Sequence, residues 1–197
     1  RPAKPIWSCE GGGPFKNAPE DYDKSGDPYF GWMTLKENAE WTIKSHVLSA
    51  AKGMERQHMS FGISKIRCSK DPAGGYWQGP WQAIPKIAPC GVYLPAHYTA
   101  RIMREKLRDF TTQQVKDMSF NDIRLFEFIT PKGKVYVAWS GDESYKPRDL
   151  SSKLGIKQIK ATSIVTELNN NNQPIGPEIR TIDTNTIPLS ITPIFIE

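Results

Sequence analysis

Residues 4–14 read KPIWSCEGGGP, and this stretch decides the fold class. Residues 4–9 are a short, continuous run of strand length, bounded by turn residues. Glu10 follows at once, and Gly11, Gly12, Gly13 and Pro14 end the run. Glycine and proline are the strongest local punctuation in a sequence. The pattern is a buried strand that delivers a carboxylate to its C-terminal end, where a glycine-rich loop takes over. Residues 14–31 are rich in Pro, Gly, Asp and Lys and continue as a long loop. Loops of that length are uncommon in compact domains and are often functional.

Working outward, Thr34 and Glu37 have capping-box spacing, a hydroxyl and a carboxylate three residues apart. They predict a helix that runs to about Lys52, with Ile43, Val47, Ala50 and Ala51 on one face and Trp41 and Leu48 alongside. His46 falls on the exposed side. Gly53 stands where a left-handed C-terminal cap belongs. Residues 54–61 form the next strand. Residues 62–93 are a loop carrying Gly74, Gly75, Tyr76, Trp77 and Trp81. Pro95 opens a second helix at the position where a missing N–H does no harm. Tyr98, Ile102, Met103, Leu107 and Phe110 are its apolar face, while Arg101, Arg104, Lys106 and Arg108 face water.

Helical spacing stops after Phe110. Residues 125–130 and 134–140 are strand-like runs across Pro131-Lys132-Gly133, a hairpin signal. Residues 156–168, 178–182 and 191–196 supply further strands, and four asparagines, Asn169 to Asn172, make a polar turn between the first two. Residues 1–110 therefore read β-α-β-α and residues 111–197 read all-β. A β-α-β-α run implies parallel strands joined by crossover helices. Two such strands and two helices do not bury both faces of a sheet, so the unit needs neighbours. The opening at Arg1, running straight into a strand, reads as the start of a fragment.

Composition sets outer limits. With 38% hydrophobic residues and six Trp, seven Tyr and eight Phe, the chain can build a core, which excludes wholesale disorder. No run approaches the roughly 18 apolar residues that span a bilayer, so no membrane-embedded function is expected. The net charge of +5 comes from scattered basic residues with no Lys/Arg block, which argues against nucleic acid as the partner. Cys9, Cys68 and Cys90 form neither a disulfide framework nor a zinc motif. Cys68 and Cys90 bracket the Trp-rich loop; a disulfide in an oxidising compartment and two free thiols both stay open. No His pairs with Asp or Glu at metal-ligand spacing, and Asp21, Asp23 and Asp27 are too loosely placed for calcium. Neither a metal nor a cofactor is expected.

Several motifs occur together and in order. KPIWSCEGGGPF resembles the seventh barrel strand of clan A retaining glycoside hydrolases, where Lys-Pro-aliphatic-Trp leads to the nucleophilic Glu and a Gly. ENAEWTIKSHVLSAAKGMERQHMSFG is similar to the helix and eighth strand that follow. LPAHYTARIMREKL resembles the last barrel helix. FEFITPKGKVYVAWS and PLSITPIFIE resemble the small β-sandwich packed behind the barrel in many of these enzymes. The resemblance implies an α/β region followed by an all-β region. Residues 1–110 would be the last two β-α units of a (β/α)8 barrel, and residues 111–197 a small antiparallel β-sandwich as an accessory domain.

It also implies a function: the C-terminal portion of a retaining glycoside hydrolase that cleaves O-glycosidic bonds, with Glu10 as nucleophile and a carbohydrate as substrate. Glu10 sits where barrel enzymes place catalysis, at a strand's C-terminal end, and its glycines let a sugar approach the backbone. An ordinary loop glutamate is the plainer alternative. Tyr76, Trp77 and Trp81 offer ring faces to a sugar, or cover the barrel end as a satellite core. His58, in the eighth strand, either reaches a ligand or is a satisfied structural histidine. Trp7, Trp41 and Trp139 read as core.

Two departures qualify the resemblance. The eighth strand of the family commonly supplies an aromatic floor to the sugar site, and Gln57-His58-Met59-Ser60 has none. The acid/base Glu, carried by the family on its fourth strand, has no counterpart here. The partner implied is thus an N-terminal barrel portion, in the same precursor or a separate chain, and the isolated chain is expected to be inactive. A non-catalytic relative kept for carbohydrate binding or assembly is the alternative. The family is often secreted, but the sequence leaves the compartment open, as it does the sugar.

Overall fold

The computed structural model describes residues 6–8, 34–57, 93–155, 158–183 and 186–197. The chain is a mixed α/β fold dominated by an antiparallel sheet. Its first half contributes β1 (Ile6–Ser8), α1 (Leu35–Ala51), β2 (Met54–Gln57) and α2 (Pro95–Lys106). β1 and β2 pair in parallel, with Ser8 opposite Gln57. This is the arrangement expected of strands joined through a helix.

The helix α1 begins as its sequence predicts. Thr34 Oγ1 accepts from the Glu37 amide at 3.1 Å, and the Glu37 carboxylate accepts from the Thr34 amide at 2.6 Å. Each bond satisfies a backbone donor that the first helical turn leaves orphaned. At the other end Gly53 adopts φ +80°, a left-handed conformation that costs other residues energy. The buried face is Ala39, Ile43, Val47 and Ala50, one stripe at helical spacing. That stripe leaves Leu48 off the core at 43% exposure, contrary to expectation. Trp41 is half-buried. His46 is not on the solvent side. It is half-buried, its Nδ1 lies 2.7 Å from the Thr42 carbonyl, and burial lowers its pKa despite that hydrogen bond.

The second half builds β3 (Val115–Asp117), β4 (Ile123–Thr130), β5 (Gly133–Ser140), β6 (Lys146–Arg148), α3 (Ser151–Leu154), β7 (Gln158–Ser163), β8 (Ile179–Asp183), β9 (Ile187–Leu189) and β10 (Ile194–Ile196). A six-stranded sheet runs in the order β3-β4-β5-β10-β7-β8, antiparallel at every pairing. The expected hairpin is its longest ladder, from Ile123 opposite Ser140 to Thr130 opposite Gly133. The asparagine turn closes with the Asn172 amide donating to the Asn169 carbonyl at 2.8 Å. β6 and β9 pair separately.

The reading of residues 111–197 as all-β needs one correction. α3 is a helical turn, and Thr112–Gln114 is a turn of 3-10 helix. One turn is too short to print a period in sequence. Leu150 and Leu154, four residues apart, both enter the core and hold α3 in place. The strands β3, β6 and β9 were equally hidden, because three residues cannot show alternation.

Both faces of the six-stranded sheet are covered. Phe126, Phe128, Val135, Val137, Trp139 and Phe195 pack against the apolar stripes of α1 and α2. On the opposite face Leu125, Tyr136, Ala138, Ile159, Ile194 and Ile196 meet Leu150, Leu154, Ile187 and Leu189. Alternation is lost from β4 for this reason: Leu125, Phe126, Glu127 and Phe128 are all buried. The helices of the first half therefore find part of their cover on the sheet of the second. Polar ties reinforce the contact. Thr192 Oγ1 donates to Glu40 Oε1 at 2.6 Å, Thr99 Oγ1 donates to the Val165 carbonyl at 2.7 Å, and both are buried. Lys106, expected in water, instead pairs with Glu197 at 2.5 Å.

Candidate functional site

The parallel pair sets the geometry of the expected site. β1 and β2 point the same way, and Ser8 lies opposite Gln57. Glu10 follows β1 by two residues, and His58 is the next residue after β2. Glu10, His58, Tyr76, Trp77 and Trp81 themselves lie outside the described residues, as do Cys9, Cys68, Cys90 and the three loop aspartates. β2 is described over Met54–Gln57, and the remainder of the expected strand, residues 58–61, also lies outside the described residues.

Among the described residues, the buried carboxylates are engaged in structure. Glu40 is 4% exposed and receives Thr192 Oγ1, with Lys44 Nζ at 3.3 Å and Lys36 Nζ at 3.9 Å. Burial lowers the Lys44 pKa, against the opposing pull of Glu40. Glu127 is 8% exposed and accepts from Lys134 Nζ at 2.8 Å and Tyr136 Oη at 2.9 Å. Burial alone would raise its pKa, but the Lys134 and Tyr136 hydrogen bonds outweigh burial and hold it below the usual value. The same burial, with the bond to Glu127, pushes the Tyr136 phenol up to about 12. A carboxylate so held ionised is a poor proton donor for general acid catalysis.

Asp142 meets Lys146 at 2.7 Å and also binds Arg148, which reaches Asp122 at 2.7 Å. The Lys146 hydrogen bond is the main reason the Asp142 pKa is lowered. This is an ion-pair network at the β6 end of the small sheet, with no carboxyl left to act as an acid. Among the described residues no three His, Cys, Asp or Glu side chains converge to hold a metal ion, and no helix is long and apolar enough to cross a membrane.

The structure also holds a groove that no sequence motif announces. It has a volume of about 570 Å³ and runs between α2 and the segment containing Pro174, Gly176 and Pro177, and Arg101, Arg104, Arg108 and Lys132 line it. The three arginines were legible as water-facing residues of the second helix. Their opposite wall was not, because Lys132 and Pro174 are distant in sequence.

No protein-family model matches the chain, and no curated protein matches it in sequence. Among solved structures, it is similar to a GH30 endoxylanase from Clostridium papyrosolvens C71, with a TM-score of 0.47 and 9% identity. That match covers 98% of this chain and 41% of the other, so the chain spans about two fifths of that enzyme's length. A likeness this distant assigns neither family nor activity.

Proposed function

We propose that this chain is the C-terminal portion of a retaining glycoside hydrolase. Residues 1–110 are the last two β-α units of its barrel, and residues 111–197 are its β-sandwich accessory domain. The observation that supports the reading is the parallel pair β1–β2, with Ser8 opposite Gln57, and Glu10 lies two residues beyond Ser8 in sequence. Catalytic groups of barrel enzymes come from strand ends on that side of the barrel. The ordered set of motifs from Lys4 to Glu197 supports the same reading.

In the proposed reaction the Glu10 carboxylate attacks the anomeric carbon. The bond to the leaving oxygen breaks as a second carboxyl group, about 5–5.5 Å away, protonates that oxygen. Water, deprotonated by the second group, then hydrolyses the glycosyl ester and frees Glu10. The second carboxyl belongs to the N-terminal barrel portion, so turnover requires both portions. Tyr76, Trp77, Trp81 and His58 are the proposed sugar contacts.

The test uses the gene product that carries this chain together with its N-terminal barrel portion. A panel of activated 2-fluoroglycosides, xylosides included, should trap an ester, and peptide mapping should find it on Glu10. Glu10→Gln should lower turnover by at least about 10⁴-fold, the order lost when a catalytic group is removed. An adduct on another residue, or full activity of Glu10→Gln, refutes the assignment. One observation favours a second reading, a non-catalytic carbohydrate-binding or assembly relative. β2 carries no aromatic to floor a sugar site. Glycan binding without trapping on any member of the panel would support it.

A further inference from the structure

None of the described residues lining the groove beside α2 is among the proposed catalytic and sugar-contact residues, and its chemistry is distinctive. Arg101 and Arg104 are exposed on one face of the helix, about 4.5 Å apart along its axis at 1.5 Å per residue. Arg108 lies in the turn just beyond the end of α2, and Lys132 comes from the β4–β5 turn. Against these four cations the described lining residues include one acid, Glu105. Arg108 has the adjacent Asp109 at 3.1 Å, a solvent-exposed pair. Among the described residues Arg101, Arg104 and Lys132 have no carboxylate partner. Arg101 is felt by His97, whose pKa is lowered by burial and, secondarily, by that guanidinium.

Between the cations the lining is apolar: Tyr98, Ile102, Val165, Pro174 and Pro177. These walls are held in place. Thr99 bonds the Val165 carbonyl, the Ile175 amide donates to Glu167 at 3.0 Å, and the Glu178 amide donates to Ser163 Oγ at 2.8 Å. A preformed cleft with apolar lining and a few convergent polar groups is the usual form of a ligand site.

We infer that this groove binds an anionic glycan, a carboxylated or sulfated sugar chain, through residues other than those proposed for catalysis. The planar guanidinium fork matches carboxylate and sulfate groups in pairs. The prolines and Tyr98 suit the flat C–H faces of sugar rings. Single-stranded nucleic acid fits less well, because it is gripped by stacking on several aromatics and the described lining offers one, Tyr98. An anionic membrane fits less well too. The apolar face of α2 that would enter a bilayer is buried on the sheet.

The inference stands whether or not Glu10 is a nucleophile, and its test reads binding alone. The 197-residue chain is titrated calorimetrically with oligogalacturonate and dextran sulfate, and with neutral dextran, a short single-stranded oligonucleotide and phosphatidylserine vesicles as alternatives. At least one anionic glycan should bind, more weakly as salt rises. Arg101→Gln with Arg104→Gln should weaken it by about tenfold or more. Lys132→Gln should weaken it less, and Lys116→Gln with Arg124→Gln, on exposed parts of β3 and β4, should leave it within about twofold. Circular dichroism melts establish that each variant is folded. If the double arginine variant fails to fold, the Lys132 variant and an Arg101→Lys, Arg104→Lys pair carry the test. Binding to neither anionic glycan, equal binding of neutral dextran, tighter binding of the oligonucleotide or vesicles, or an unchanged affinity in the arginine variants overturns the inference.

Discussion

Thr192→Val probes the join between the two halves of the chain. Thr192 lies just before β10 and is 5% exposed; its hydroxyl donates to Glu40 on α1, 152 residues away, at 2.6 Å. Valine keeps the side chain's shape and deletes only the donor. A hydrogen bond to a charged group contributes about 1.5–3 kcal/mol, and a buried acceptor left unpaired adds its desolvation penalty. Here Lys44 at 3.3 Å and Lys36 at 3.9 Å still face the Glu40 carboxylate, so it does not become an isolated buried ion. The expected loss is therefore about 2 kcal/mol. With a urea slope of about 2 kcal/mol/M, the midpoint should fall by about 1 M.

The assay is equilibrium urea unfolding followed by far-ultraviolet circular dichroism and tryptophan fluorescence. The two probes should coincide in the parent chain, because helices and sheet share one apolar cluster. In a double-mutant cycle with Glu40→Gln the two losses should be strongly non-additive. A midpoint shift below about 0.2 M, or a cycle that closes additively, would refute the claim that this bond joins the halves.

Three further outcomes follow from the geometry. Phe128→Ala should cost about 3–5 kcal/mol in the same unfolding assay, because Phe128 is fully buried and its ring meets Phe110 edge-on at 5.0 Å; Leu48→Ala, on the exposed side of α1, should stay within about 0.5 kcal/mol. The Tyr136 phenol is raised to about 12 when folded, so its stabilisation is fully present below the ordinary tyrosine pKa near 10 and is lost as pH rises from there to about 12. Absorbance titration should show a late tyrosine, and Tyr136→Phe should remove both that late step and its share of the alkaline loss of stability. Gly53→Ala should cost about 1–2 kcal/mol in melting experiments, since nothing crowds a Cβ there and the left-handed φ of +80° is the whole penalty.

Local chemistry explains which elements were legible. Thr34 and Glu37 announced the start of α1, Gly53 its end, and Pro95 the start of α2, because caps act within a few residues. The β4–β5 hairpin was equally plain from Pro131-Lys132-Gly133 between two apolar runs. Leu48 and His46 were misplaced for a different reason. An apolar stripe says which residues can be buried, but the neighbour that covers the helix decides which ones are. The catalytic candidates came from motif order around Glu10. The arginine groove did not, since no motif brings Arg101 to within reach of Lys132 and Pro174.

By itself the sequence determined the β-α-β-α run and the hairpin, both consequences of spacing and turn chemistry. Only the tertiary structure decided that the last strand, β10, lies in the middle of the six-stranded sheet, between β5 and β7. It alone decided that α1 and α2 cover that sheet, and that Thr192 meets Glu40. These are contacts between residues far apart in the chain. They depend on which apolar surfaces can exclude water together, and one-dimensional order does not encode that pairing locally.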